Sequence, residues 1–189
     1  MADAVKTTPG SPRRGKRKSR DSSSFGTILI VVAIGVLVIV ATRQRSGPRV
    51  DVPAKDFVLA TLDQSKQFRL SEHRGSPVLV EVFASWCGAC KSAAPMMSRV
   101  TQASRKRDVR FLGVCVDSNV SEAKATVQSW GIPYDVALDD GTFSKDYEIS
   151  VLPTFVLIDP DGNVRKVSSG VPREAELERW LGDLGAVRV

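Results

Sequence analysis

Histidine occurs once in the 189 residues and cysteine three times. Three cysteines are too few for a disulfide-stapled scaffold, so the fold has to rest on a hydrophobic core. One cysteine pair, a third cysteine and a single histidine make a poor match to a structural zinc site, which takes four ligands. With 10 Pro, 14 Gly and 42% hydrophobic residues the chain is neither collagen-like nor wholly disordered. Its length allows one ordinary domain and an appendage. The formal charge of +6 is unevenly spread: residues 1–49 hold ten Lys/Arg against two Asp, and residues 50–189 hold seventeen Lys/Arg against nineteen Asp/Glu. The globular part is mildly acidic, which argues against a basic groove for phosphates and against nucleic acid as a partner.

Charge is also missing between Asp21 and Arg43, where Phe25 to Thr42 is dominated by Ile, Leu and Val. Eighteen helical residues cover about 27 Å, close to the ~30 Å hydrocarbon core of a bilayer, so residues 25–42 are expected to form a transmembrane helix. Residues 1–24 read as a disordered basic cytoplasmic tail. Seven Lys/Arg precede the apolar stretch, against Arg43, Arg45, Arg49 and Lys55 after it, which places the N-terminus in the cytoplasm and the remainder outside. The expected location is the cytoplasmic membrane, single-pass, with the main domain on the extracytoplasmic or periplasmic side. A cleaved signal peptide is the alternative, but the apolar stretch exceeds the usual length and Ala41-Thr42-Arg43-Gln44 is a poor cleavage site. Residues 43–55, with Gly47, Pro48 and Pro53, read as a tether, and residues 56–189 as the domain.

Within the domain, strand-like and helix-like stretches alternate. Phe57–Leu62 and Gln67–Leu70 are short strand candidates, and Pro77–Ala84 and Val109–Val116 are compact Val-rich runs of buried-strand length. Ala89–Arg107 has helical apolar spacing, with Pro95 inside as a kink. Ser121–Trp130 reads as a helix with Ser121 as N-cap and Gly131 closing it. Thr154–Ile158, the Asp159–Gly162 turn, Val164–Val167 and a helix over Pro172–Leu184 complete the pattern. Continuous apolar strands alternating with helices imply an α/β sheet covered on both faces.

The chemistry sits in Trp86-Cys87-Gly88-Ala89-Cys90, which ends a buried strand and opens a helix. A helix N-terminus presents unpaired N–H groups and a partial positive charge, which favour a thiolate at Cys87. Cys90, one turn in, is placed to attack a mixed disulfide formed at Cys87. Two thiolates can alternatively hold a soft ion such as Cu(I), so a copper-handling binding module stays open here.

The segment Phe83-Ala84-Ser85-Trp86-Cys87-Gly88-Ala89-Cys90-Lys91, followed by Pro95, resembles the active site of the thioredoxin superfamily. Leu152-Pro153-Thr154, with Phe155–Asp159 and Gly162, resembles its cis-proline loop and the strand after it. Arg69-Leu70-Ser71 and Arg74–Val80 are similar to the membrane-anchored TlpA/ResA-like branch, and the likeness runs from about residue 50 to 185. The resemblance implies a thioredoxin-like fold, a central mixed sheet with helices on both faces, behind a single N-terminal transmembrane helix. It implies a thiol–disulfide oxidoreductase that reduces exported proteins, apocytochrome c among them. Electrons would return from a membrane thiol donor of the CcdA/DsbD type. No cofactor is implied beyond the Cys87–Cys90 disulfide. Cys87 would attack, Cys90 resolve, and Trp86, Gly88, Ala89, Leu152 and a cis Pro153 contact the client. A disulfide oxidase or isomerase remains an alternative, because natural pairs with this spacing span roughly −270 to −120 mV. The Thr-x-x-Cys setting of a thiol peroxidase is absent around Cys87.

Glu81 departs from the branch. It is the only charge in PVLVEVFA and shares a face with Leu79 and Phe83 by alternation. Its place matches the buried aspartate of thioredoxins, whereas the branch more often has asparagine there and a glutamate where Ala93 stands. Glu81 is expected to be desolvated and to take the proton of Cys90 through water; a hydrated carboxylate at a splayed sheet edge is the other possibility. Cys115 reads as a small core residue, with a regulatory or metal role as the alternative, Trp86 as a partly exposed shield over the disulfide, or else packed in the core, and His73 as solvated.

Overall fold

The computed structural model describes residues 28–37, 48–63 and 66–185. The chain divides into two compact units, Met1–Arg45 and Ser46–Val189. In the first, residues 28–37 form helix α1, with all ten residues exposed. Ten helical residues span about 15 Å, roughly half a hydrocarbon core. Among the described residues no helix is long and apolar enough to cross a membrane. The remainder of the expected 25–42 span, the 1–24 tail and residues 43–47 of the tether lie outside the described residues.

In the second unit, β4 (Val78–Phe83) runs parallel to β5 (Arg110–Cys115), which runs parallel to β6 (Asp135–Leu138). On its other side β4 pairs antiparallel with β7 (Thr154–Ile158), then come β8 (Asn163–Ser169) and β1 (Val52–Pro53), giving the order β1-β8-β7-β4-β5-β6. A separate hairpin joins β2 (Val58–Ala60) to β3 (Gln67–Arg69). Two parallel connections in the same direction put α2 (Gly88–Ala103) and α3 (Val120–Trp130) on one face of the sheet. α5 (Glu174–Gly185) joins them there, while α4 (Thr142–Asp146) and the hairpin cover the opposite face.

All six residues of β4 are buried, and their alternation divides the core. Val78, Val80 and Val82 face Phe57, Phe68, Phe143 and Tyr147, where Phe57 meets Phe143 edge-on at 4.9 Å. Leu79 faces Met97 of α2 and Leu177 and Leu181 of α5, and Phe83 faces Cys90 and Ala123. Each fully buried aliphatic or aromatic side chain of this kind contributes roughly 1.5–3 kcal/mol. Glu81 belongs to the second set.

Several elements differ from expectation. Asn119 caps α3: its Oδ1 accepts the N–H groups of Ser121 (2.9 Å) and Glu122 (3.3 Å), which leaves Ser121 in the first turn. Gly131 closes that helix in the left-handed region (φ 63°), as expected. His73 ends a 3-10 turn, Leu70–His73, half-buried against Phe68 at 4.3 Å between ring centres, and is not simply solvated. Residues 48–55 of the expected tether lie on the domain: β1 pairs with β8, Lys55 pairs with Asp146 (2.8 Å) and Arg165 with Asp51 (3.2 Å).

Candidate active site

β4 leads through Ala84, Ser85 and Trp86 to the N-terminus of α2. The Cys87 N–H donates to Ala84 O (3.1 Å), and Cys87 is the N-cap in an extended conformation (φ −84°, ψ 101°). Its sulfur accepts the backbone N–H of Cys90 at 3.1 Å, so one of the free donors of the helix end already points at it. Cys87 and Cys90 form a disulfide with S–S 2.00 Å and Cα–Cα 5.3 Å. The two sulfurs are unequally placed: Cys87 retains 7% exposure and Cys90 none. Trp86 is 73% exposed, which places it at the surface and not in the core, and Gly88 and Ala89 are exposed beside it.

The Leu152–Pro153 peptide is cis, as the resemblance implied. Leu152 packs on the cluster that holds Cys87, Cys90 and Phe83, so strand β7 brings this loop to the disulfide. Pro153 is buried, and its carbonyl accepts the Gly170 N–H (2.7 Å). Six expected site residues therefore gather around one exposed tryptophan: Cys87, Gly88, Ala89, Cys90, Leu152 and Pro153.

Glu81 lies one layer deeper. It pairs with Gly113 of β5 and Phe155 of β7 in the middle of the sheet, at 3% exposure, so the hydrated-edge alternative does not apply. Burial raises its pKa to about 7 against the opposing effect of a hydrogen bond from the Tyr134 hydroxyl to its Oε2. Burial, then the carboxyl itself, hold the Tyr134 phenol well above its ordinary value.

Asp117 was not singled out from sequence, although it is the first charge after the apolar β5 run. It is buried, and its Oδ2 accepts both the Ser85 N–H (2.8 Å), two residues before Cys87, and the Cys115 thiol (3.2 Å). Cys115 is fully buried, and desolvation pushes its thiol up to about 12, the state of an inert core residue. Among the described residues no group of three or more His, Cys, Asp or Glu is arranged to hold a metal ion. What the site holds is a sulfur pair able to store two electrons, an apolar surface beside it and a buried carboxyl behind it.

Known proteins resemble both the chain and its fold. The model of the AhpC/TSA family matches residues 50–167. Thiol-disulfide oxidoreductase ResA of Bacillus subtilis (strain 168) is 29% identical over 175 residues, covering 88% of this chain and 94% of that protein. ResA of Geobacillus kaustophilus is 28% identical over 160 residues, covering 82% and 89%. Among solved structures, a thiol:disulfide interchange protein of the thioredoxin family from Chlorobium tepidum TLS superposes with a TM-score of 0.64 at 28% identity, covering 70% of this chain and 95% of that one. MTB DsbF superposes at 0.62 and 27% identity, covering 68% and 94%.

Proposed function

The chain belongs to the AhpC/TSA family and is a thioredoxin-like thiol–disulfide oxidoreductase, and from that premise we propose that it is anchored in the cytoplasmic membrane and reduces disulfides of exported proteins, apocytochrome c being the first candidate client. The observation that carries the reaction is the inequality of the two sulfurs: Cys87 caps the helix and keeps a small exposure, and Cys90 is sealed from solvent. In the dithiol state the helix end favours a Cys87 thiolate. That thiolate attacks a client disulfide, the client S–S bond breaks, and one client sulfur leaves as thiolate. Cys90 then gives up its proton and attacks the Cys87 sulfur. The Cys87–Cys90 bond forms, and the second client sulfur leaves. Glu81 takes the Cys90 proton through water. Its burial on the α2 side of the sheet and its proton affinity near neutrality support that role. Trp86, Gly88, Ala89, Leu152 and Pro153 form the surface on which the client strand lies.

Two electrons then return from a membrane thiol donor of the CcdA/DsbD type. The exposed apolar helix at residues 28–37 supports a membrane anchor, with the basic tail on the cytoplasmic side. The test pairs two measurements on the full chain in its native membrane. Cys90→Ser should trap client proteins on Cys87 as mixed disulfides that thiol reductants release. Equilibration with glutathione should give a potential nearer −270 than −120 mV, the roughly reducing end of the range. A potential at the oxidising end would refute the reductase, and absence of trapped clients together with bound copper would refute the exchange chemistry.

A further inference from the structure

We propose that Tyr134 is a positioning residue of this enzyme: its hydroxyl holds the Glu81 carboxyl across β5 and sets how readily that carboxyl takes a proton, through a slot that Gly113 keeps open. It rests on the role given above to Glu81. Tyr134 lies between α3 and β6, and its hydroxyl donates to Glu81 Oε2 from two strands away. Its ring is tilted on Phe111 of β5 at 6.1 Å between centres. Phe111 and Gly113 stand two apart on one face of β5, and Gly113 is the residue directly opposite Glu81. A Cβ on Gly113 would lie 2.9 Å from Val136 Cγ2, 3.0 Å from Phe83 Cε1 and 3.4 Å from Tyr134 Cε2. The Cβ would crowd Val136 and Phe83 and touch the Tyr134 ring, so anything larger would press on the lane along which the phenol reaches the carboxyl. Glycine in the buried interior of a strand otherwise weakens it, so the missing side chain needs this kind of explanation.

The surroundings leave the hydroxyl alone to tune the carboxyl. On one side of Glu81 along β4, Phe83 packs with Cys90, held in the disulfide, and Cys115, whose thiol is committed to Asp117. Across β7 stands Phe155, and on the other side of Glu81 along β4 Leu79 packs with Leu177, Trp180 and Leu181 of α5, all without charge. Burial and the Tyr134 bond act on Glu81 in opposite directions, and among the described residues no cation pairs with it. A donor to the ionised form favours that form, so the hydroxyl makes Glu81 a readier anion than burial alone would allow.

The test uses the full-length protein with carbon-13-labelled glutamate carboxyls, in wild type, Tyr134→Phe, Glu81→Gln and the double variant. Phenylalanine keeps the ring on Phe111 and deletes only the donor. Tyr134→Phe should tighten proton binding at Glu81 about tenfold, moving its NMR titration and the pH profile of client reduction upward together. In the Glu81→Gln background the same change should move nothing further. An unmoved Glu81 titration in Tyr134→Phe, or an equal shift of the activity profile without Glu81, would overturn the inference. Should the titration move while Glu81→Gln leaves the pH profile of reduction unchanged, Tyr134 stands as the residue that sets the carboxyl, and the proton-acceptor role of Glu81 falls.

Discussion

Replacing Glu81 by glutamine should make the oxidised protein more stable, and only in one pH range. In the unfolded chain this carboxyl loses its proton near 4.5, whereas in the folded protein burial holds the proton until about 7. Between those values the folded state carries a proton that the unfolded state has released. Stability therefore falls as pH rises through that window, and the loss is complete above the folded value. At 1.36 kcal/mol per pH unit the full loss is about 3 kcal/mol, an upper figure because relaxation around the charge reduces it. Glutamine keeps the shape and an acceptor for the Tyr134 hydroxyl but cannot ionise. Urea unfolding of wild type and Glu81→Gln, followed by tryptophan fluorescence at about pH 5 and about pH 8, gives the comparison directly. The variant should lead by under about 1 kcal/mol at the lower pH and by up to about 3 kcal/mol at the higher. A difference that stays constant with pH, or grows in favour of glutamate, would refute the burial of an isolated carboxyl at this position.

Cys115 should resist iodoacetamide in the native reduced protein and react only on unfolding, while Cys87 reacts natively; mass spectrometry of the labelled peptides distinguishes them, and equal rates would contradict its burial. Asp117→Ala strips the Ser85 N–H and the Cys115 thiol of their shared acceptor and should cost about 1–3 kcal/mol in urea unfolding. Asn119→Ala should cost about 1 kcal/mol and Ser121→Ala much less, reversing the order that the sequence suggests. Gly113→Ala should destabilise by about 1–3 kcal/mol through overpacking against Val136 and Phe83, and thermal unfolding would read it.

The central strands and the cysteine pair were legible because each depends on a local pattern. An unbroken Val-rich run marks a strand buried on both faces, and a cysteine pair where such a strand meets a helix marks its chemistry. β6 and α4 were missed for the opposite reason. Asp135–Leu138 is four residues long and Thr142–Asp146 five. The α4 start is organised by Asp139, whose carboxylate accepts the N–H groups of Gly141, Phe143 and Ser144 at 3.0 Å each, and by Asp140, which accepts that of Thr142. In sequence the same residues show no apolar periodicity to mark an element. Ser121 and Asn119 are both capping types, and only backbone geometry chooses between them. Tyr134 and Asp117 meet the site across the sheet, 53 residues from Glu81 and 32 from Ser85, a separation that no periodicity encodes.

The seclusion of Cys90 bears on how long a captured client stays attached. Cys90 is held beside Cys87 and is itself sealed from solvent, so resolution by the inner sulfur is a first-order event, and an outside thiol competes with it only by attacking the mixed disulfide at Cys87. Crowding by other thiols in the surrounding compartment can change how often a client is caught at Cys87, yet it leaves the inner resolving step to run at its own pace.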